Sequence, residues 1–467
     1  MSETKLHIIK YAPPPSDLPI YKQANPAEVS FFGRTNYEAA LEEKKFIFGI
    51  KRSDRKRHMY IVGKSGVGKS KLLELLIRQD IAFGHGVCVL DPNGDLISHI
   101  LDFVPEERMR DVILVDPSDM SHVPAFNPFS GVREELRHQF AESLVEIMEK
   151  QFGENWSPNM EHVFRFTILA LLEYPEAAMR GMAAMLTDRA YRREVVSHVR
   201  DTMVRQFWEH DFEAWAKKFE EAALAPLVNK LAQLSAHPML RLIFSQRENR
   251  IVFEEIMREK KIFLMNCAKG TLGEGASRFL GSLCIMTIAQ AGSTRSALPE
   301  SQRPDFYLYA DEFHHFITPT FMNMLAEGRK YGMAITLAHQ YLNQLPHDVQ
   351  AAVLGSVGAM VLFRVSADDA ARFEKEMTPV FKAKDMINLG VQEFYIKMTI
   401  DGNTHDPFSA EALKILPPPH ASFRKEITEE SRSRYAIMAE EAKNKLMERG
   451  DENNQESHSE SLDAPFA

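Results

Sequence analysis

The chain's 467 residues, 45% apolar and 26% charged, have the ordinary make-up of a globular protein with room for two or three domains. A formal net charge of −9 excludes a surface that is basic all over, so any contact with nucleic acid has to be local, as in loops that line a pore. Cys88, Cys267 and Cys284 lack metal-ligand spacing and read as reduced core residues, no run reaches the ~18 consecutive apolar residues of a membrane span, and Met1-Ser2-Glu3-Thr4-Lys5 opens no signal-peptide pattern, so the expected location is the cytoplasm.

Residues 1–45, rich in proline and polar side chains and carrying Pro13-Pro14-Pro15, are expected to add an edge strand or a lid. The first part of an α/β core follows over 46–130. There Met59-Tyr60-Ile61-Val62 predicts a strand, residues 71–77 predict a helix, and between them stands Gly63-Lys64-Ser65-Gly66-Val67-Gly68-Lys69-Ser70. These residues match the P-loop pattern in the context it requires. The glycines let backbone N–H groups curl around a polyphosphate at the helix N-terminus, Lys69 reaches the β and γ oxygens, and the Ser70 hydroxyl is a ligand for Mg²⁺. A bound nucleoside triphosphate is the expectation. Further apolar runs at 86–91 and 111–116, alternating with helical stretches, predict a mainly parallel sheet flanked by helices on both faces.

Over 131–250 glycine becomes scarce, Trp156, Trp208 and Trp215 appear, and Leu136, Phe140, Leu144 and Ile147 recur at helical spacing. An all-α insertion domain is expected, with the aromatic residues forming its core rather than a platform for bases. The second part of the core, 251–420, resumes with strands at 261–265, 305–310, 333–338, 359–363 and 394–398. One of them ends in Asp311-Glu312, about 240 residues beyond the P-loop. Adjacent carboxylates at a strand end suit one to join the Mg²⁺ shell and the next to polarise an attacking water. Paired with the P-loop, they make Asp311 the metal-side acid and Glu312 the catalytic base of a hydrolytic ATPase. A guanine-specific switch would also need Asn-Lys-x-Asp, and Asn229-Lys230 and Asn444-Lys445 lack the aspartate. After Pro417-Pro418-Pro419 the chain is expected to leave the core, with 421–467 forming a helical stretch around 431–448 and then a disordered acidic tail from Asp451.

Other residues invite a role. Arg52, Arg55, Lys56, Arg57 and His58 read as a solvated basic loop in preference to a phosphate contact. His314 and His315 follow the carboxylates, but no further ligand stands at a recognisable spacing, so supporting or core roles are preferred to a metal. Lys269-Gly270-Thr271-Leu272-Gly273-Glu274 reads as a flexible loop facing a pore or a neighbouring subunit, and Asp91 and Asp95 either frame the pocket or cap a helix.

The P-loop, Asp91-Pro92-Asn93-Gly94-Asp95-Leu96, Phe126-Asn127-Pro128-Phe129, the helical insertion, Asp311-Glu312 and the block from Gly328-Arg329-Lys330-Tyr331-Gly332 to Gln340 together resemble the HerA/FtsK superfamily of hexameric DNA-pumping ATPases. The resemblance covers roughly 46–420 and is closest to the motor domain of conjugative coupling proteins of the TraG/TraD type. Its most specific part is the last block, where Gln340 closes a strand eleven residues after Arg329, as in the family. The resemblance implies a RecA-like P-loop NTPase, ATP and Mg²⁺ as cofactors, and a homo-oligomeric ring, a hexamer, that hydrolyses ATP and moves DNA through its centre. It implies catalytic roles for Lys69, Glu312, Arg329 and Gln340. Arg329 would reach the γ-phosphate held by a neighbouring subunit, and Gln340 would sense the γ-phosphate or orient the water, a surface ion pair being the other reading of the arginine and a helix cap that of the glutamine. The insertion would recruit a relaxosome or secretion-channel proteins at a place peripheral to the inner face of the membrane. Two departures from the family are expected: no N-terminal membrane anchor of the usual kind is read here, and Asn93 stands where relatives often carry a basic residue. A soluble HerA-like repair motor, and an ATP-gated receptor that docks DNA or protein cargo without processive movement, are the alternatives.

Overall fold

Each apolar run expected as a strand forms one, and the sheet they build is joined by further strands at its far side. The computed structural model describes residues 9–37, 45–267 and 269–447, so the acidic tail expected from Asp451 lies outside the described residues. In chain order the strands are β1 (Val29–Thr35), β2 (Ile47–Lys51), β3 (Met59–Val62), β4 (Gly86–Asp91), β5 (Val112–Val115), β6 (His122–Pro124), β7 (Ile262–Asn266), β8 (Phe306–Ala310), β9 (Met333–His339), β10 (Ala359–Leu362), β11 (Glu393–Ile400), β12 (Asn403–Thr404), β13 (Phe408–Ala412) and β14 (Ala436–Met438).

The main sheet has the order β2-β1-β13-β11-β10-β3-β9-β8-β4-β7-β5, with β12 paired to β11. From β10 to β5 every neighbouring pair is parallel, whereas β11, β13, β1 and β2 join antiparallel. The parallel strands are buried on both faces and read as unbroken apolar runs rather than alternating ones. An edge strand was expected of 1–45, and β1 supplies a strand there, although β2 lies outside it. One face is covered by the P-loop helix Lys69–Ala82 and helix Asp95–Leu101, which bury Leu72, Leu73, Leu76, Ile77 and Ile100. The opposite face carries helix Glu274–Thr294, and its core runs without a break into the helices between β6 and β7. Those helices include Arg137–Phe152 and Pro158–Leu171 and contain no strand. Trp208 is buried among them and Trp156 and Trp215 are half-buried against the same core, in keeping with a packing role.

Two expectations fail. The chain does not leave the core after Pro417-Pro418-Pro419. His420 Nε2 lies 3.0 Å from the Phe103 carbonyl, helix Arg424–Tyr435 buries Ile427 against the sheet, and the Ser431 hydroxyl accepts the Leu114 amide at 2.8 Å. The helix expected around 431–448 is broken by β14, which pairs antiparallel with β6.

The basic run 52–58 is not a solvated loop either. Arg52 and Arg55 turn inward after β2 and meet Asp80, near the C-terminal end of the P-loop helix. Asp80 is fully buried and Arg55 only 1% exposed. Arg55 Nη1 lies 2.8 Å and 3.0 Å from the two Asp80 oxygens and 3.0 Å from the Ser30 hydroxyl, its Nη2 lies 2.6 Å from the Tyr309 hydroxyl, and its guanidinium stacks 4.4 Å from the centre of the Tyr307 ring. Two buried cations around one buried carboxylate leave an uncompensated charge if the carboxylate goes. Asp80→Ala is therefore expected to destabilise the fold by about 3–5 kcal/mol, measured by urea unfolding, with nucleotide affinity unchanged in whatever protein remains folded.

Candidate nucleotide-binding site

The shared direction of the parallel strands brings their C-terminal ends to one edge of the sheet, the place where open α/β sheets bind ligands. β9 lies between β3 and β8, Val62 pairs with His339, and Ala310 pairs with Leu337. The P-loop and the Asp311-Glu312 pair therefore leave the sheet at nearly the same height, one strand apart. Ser65, Gly66, Gly68, Lys69, Ser70, Asn93, Asp311, Glu312 and Gln340 line a single cleft of about 290 Å³, together with Lys71, Val391 and Gln392.

The loop's shape depends on its glycines. A Cβ on Gly63 would stand 2.6 Å from the Cβ of Phe363, just beyond β10, and Gly68 opens the P-loop helix at φ 120°, a conformation that disfavours side chains. Val67 is fully buried and anchors the loop to the core, while Lys64 and Ser65 stay exposed. Lys69 folds back so that its Nζ donates to the carbonyls of Gly63 at 2.7 Å and Lys64 at 3.1 Å. Burial lowers the pKa of this ammonium, and the Glu312 and Asp311 carboxylates act in the opposite sense.

Facing it is a crowd of carboxylates. Burial, then Glu312 and Asp91, push the Asp311 carboxyl up to about 7, while Lys69 draws it down. Asp311 Oδ1 accepts the backbone N–H of Glu312 at 3.0 Å. Glu312 has left-handed backbone angles, φ 45° and ψ 46°, which a residue with a side chain holds only when its surroundings impose them. Burial raises its pKa, against the hydrogen bond that Gln340 Nε2 donates to Oε1 at 3.0 Å. The other oxygen, Oε2, is buried with no hydrogen-bond partner among the described residues, and His314 Nδ1 comes only to 3.5 Å. Burial and nearby cations hold His314 at about 3 and His315 at about 4, so both rings are neutral. Among the described residues no cluster of His, Cys, Asp and Glu is arranged to hold a metal by itself. The residues present nevertheless suit a magnesium-nucleotide. The Ser70 hydroxyl and Asp311 flank the cleft with hard oxygen donors, and a buried carboxylate pair is relieved by a dication.

The other sequence-stated residues divide. Asp91 is a cap: its oxygens accept the amides of Asn93 at 2.9 Å, Leu96 at 2.9 Å and Ile97 at 3.2 Å. Residues Lys269–Leu272 form a helical turn that runs into helix Glu274–Thr294, where a flexible loop was expected. Arg329 lies outside the cleft. It is exposed on the turn Gly328–Tyr331, at the opposite end of β9 from Gln340, a strand of seven residues or about 23 Å away. No ion pair holds it among the described residues. The sequence reading passed over Val391 and Gln392: Gln392 donates its backbone N–H to the Val67 carbonyl at 3.0 Å, and Val391 stays 63% exposed at the cleft's mouth. Only the turn-forming Gly390 ahead of a strand marks them in the sequence.

A parallel sheet with a P-loop between its central strand and helix, and paired carboxylates one strand away, defines a nucleotide-binding ATPase-type protein of the RecA-like P-loop class, here with an all-helical domain inserted. Residues 47–380 match the model of the type IV secretion-system coupling protein DNA-binding domain, and the chain belongs to that family. Among solved structures it is similar to the bacterial conjugative coupling protein TrwBΔN70, at 18% identity and a TM-score of 0.60, over 80% of this chain and 89% of that one. TrwB in complex with ADP and Mg²⁺ gives 16% and 0.58, over 80% and 90%. VirB4 of Thermoanaerobacter pseudethanolicus gives 12% and 0.52, over 78% and 90%. At these identities the likeness is one of fold. No curated protein sequence matches significantly. Of the groups that the sequence resembles, the coupling proteins are thus the one matched. Among the described residues no helix is long and apolar enough to cross a membrane.

Asp311 supplies a test of the site's electrostatics. Its folded pKa, about 7, lies above the ordinary carboxylate value of 3.8, so the stability it contributes is full below about 4 and is lost as pH rises through about 7. In nucleotide-free, chelator-treated protein the stability advantage of Asp311→Asn over wild type should therefore grow from pH 4 to pH 8, read by urea unfolding at each pH.

Proposed function

We propose that this chain is an ATP-hydrolysing motor that assembles as a hexameric ring and moves DNA through its centre, as a coupling protein of a type IV secretion machine. The convergence of Lys69, Ser70, Asp311, Glu312 and Gln340 on one cleft is the observation that carries this reading. Lys69 would hold the β- and γ-phosphates, and Ser70 and Asp311 would hold the Mg²⁺, which when bound neutralises charge on the phosphates. Glu312 takes the proton of the attacking water, with Gln340 fixing the orientation of its carboxylate. Arg329 is too far along β9 to serve its own cleft, and its exposure favours service in a neighbour's, where a guanidinium stabilises charge that grows in the transition state.

The titles of the TrwB structures support the cofactors by similarity: that protein was captured with ADP and Mg²⁺ and with non-hydrolysable GTP and ATP analogues. The family's description as a DNA-binding domain supports DNA as the cargo. Relaxosome or secretion-channel proteins would dock on the helical insertion, with the ring lying against the inner face of the membrane.

Lys69→Ala is expected to abolish ATP turnover. Arg329→Ala is expected to lower turnover about a thousand-fold or more while sparing nucleotide affinity, and an Arg329→Ala protein that is fully active as an isolated monomer would refute the role in trans. Adding DNA should raise the ATPase rate several-fold. Cargo capture with no such rise would favour an ATP-gated receptor instead.

A further inference from the structure

Helix Arg137–Phe152 belongs to the helical insertion, yet three of its side chains reach the segment that follows Glu312. Ser143, Glu146 and Lys150 stand three and four residues apart and so share one face. Lys150 Nζ donates to the carbonyls of His315 at 2.9 Å and Ile317 at 2.8 Å and lies 3.5 Å from that of His314. Glu146 Oε2 accepts the backbone N–H of Thr320 at 3.0 Å and its hydroxyl at 2.7 Å, and the same hydroxyl lies 2.8 Å from that of Ser143.

The segment held in this way has one free parameter that matters. His315 donates its amide to the Glu312 carbonyl at 3.1 Å, closing a single turn, Phe313–His315, directly on the glutamate. Lys150 caps the far end of that turn, where a cation suits the carbonyls that a helical turn leaves over. Glu312 itself is in a left-handed conformation that its own side chain disfavours, so something outside has to impose it. A fully exposed lysine would be free to do nothing, but Lys150 is half-buried and among the described residues no carboxylate pairs with it: burial, with Arg278 adding to it, lowers its pKa to about 7. An ammonium partly withdrawn from water and committed to carbonyl oxygens orders what it touches.

We infer that Lys150, with Glu146 behind it, is a positioning residue for Glu312, through which the helical insertion sets the geometry of the carboxylate in the nucleotide cleft. The inference rests on the reading of Glu312 as the base. Because Ser143, Glu146 and Lys150 lie on one rigid helix, a load that shifts the insertion moves the turn Phe313–His315, and Glu312 with it, while leaving the P-loop in place.

The experiment uses the full chain and separates binding from turnover. Lys150→Met should lower kcat by about 100-fold with the affinity for a fluorescent ATP analogue within about two-fold of wild type, and Lys150→Arg, which keeps the cation, should recover most of kcat. If Lys150→Met does not fold, Thr320→Val, which removes the hydroxyl bonded to Glu146, is read in the same way and should lower kcat with affinity kept. Unchanged kcat in the folded variant, or a loss of affinity equal to the loss of kcat, overturns the inference. Glu312→Gln is measured alongside: if it turns over normally, the assignment of the base has failed, whereas its inactivity beside a fully active Lys150→Met sinks the positioning role alone.

Discussion

The shared direction of β10, β3, β9, β8, β4, β7 and β5 is the constraint on which the site depends. A parallel sheet collects the C-terminal ends of its strands at one edge, so elements some 240 residues apart in the chain meet without a long loop to bridge them. β9 between β3 and β8 sets the gap between the P-loop and the carboxylates at the width of one strand. The same geometry sends Arg329 to the other edge, a strand's length from the cleft.

Concentrating charge at one edge is unfavourable, and the fold offsets it at some distance. Asp311 and Glu312 stand near Lys69, with Asp91 beside Asp311, and Glu312 sits in a strained backbone conformation. At the opposite edge, Arg52 and Arg55 clamp Asp80 of the P-loop helix to Tyr309 of β8, tying the helix that carries the lysine to the strand that carries the carboxylates. The helix is thereby fixed at both ends, by Val67 in the core near its start and by Asp80 near its finish. Site and clamp share one helix and one strand, which makes strain at the first compatible with a rigid sheet.

What the sequence disclosed follows from how each element is encoded. Buried parallel strands are unbroken apolar runs, and the P-loop and Asp311-Glu312 are contiguous, so strands, loop and carboxylates could all be read directly. The antiparallel β1, β2 and β13 are mixed in composition, with glycine, serine or charged residues among the apolar ones, and only the edge strand expected of 1–45 hinted at them. Arg52 and Arg55 look like surface charges until Asp80, some 25 residues on and at a helix end, is seen to face them. Helix Arg424–Tyr435 is polar over most of its length and turns inward chiefly Ile427 and Ser431, too weak a periodic signal to show that it docks. Lys150 resembles any lysine on an amphipathic helix, since its partners are carbonyl oxygens, which leave no mark in a sequence.

Both margins of the main sheet are occupied by the chain itself. At β5 the Ser431 hydroxyl takes up the Leu114 amide, and at β2 the segment around Ile20 bridges to Phe48, with Tyr21 donating to the Ile47 carbonyl and Gly49 to that of Pro19. A second copy cannot readily extend the sheet by strand addition, the route by which bare margins stick irreversibly. A companion would meet side chains instead, and contacts of that kind separate again without tearing strands apart.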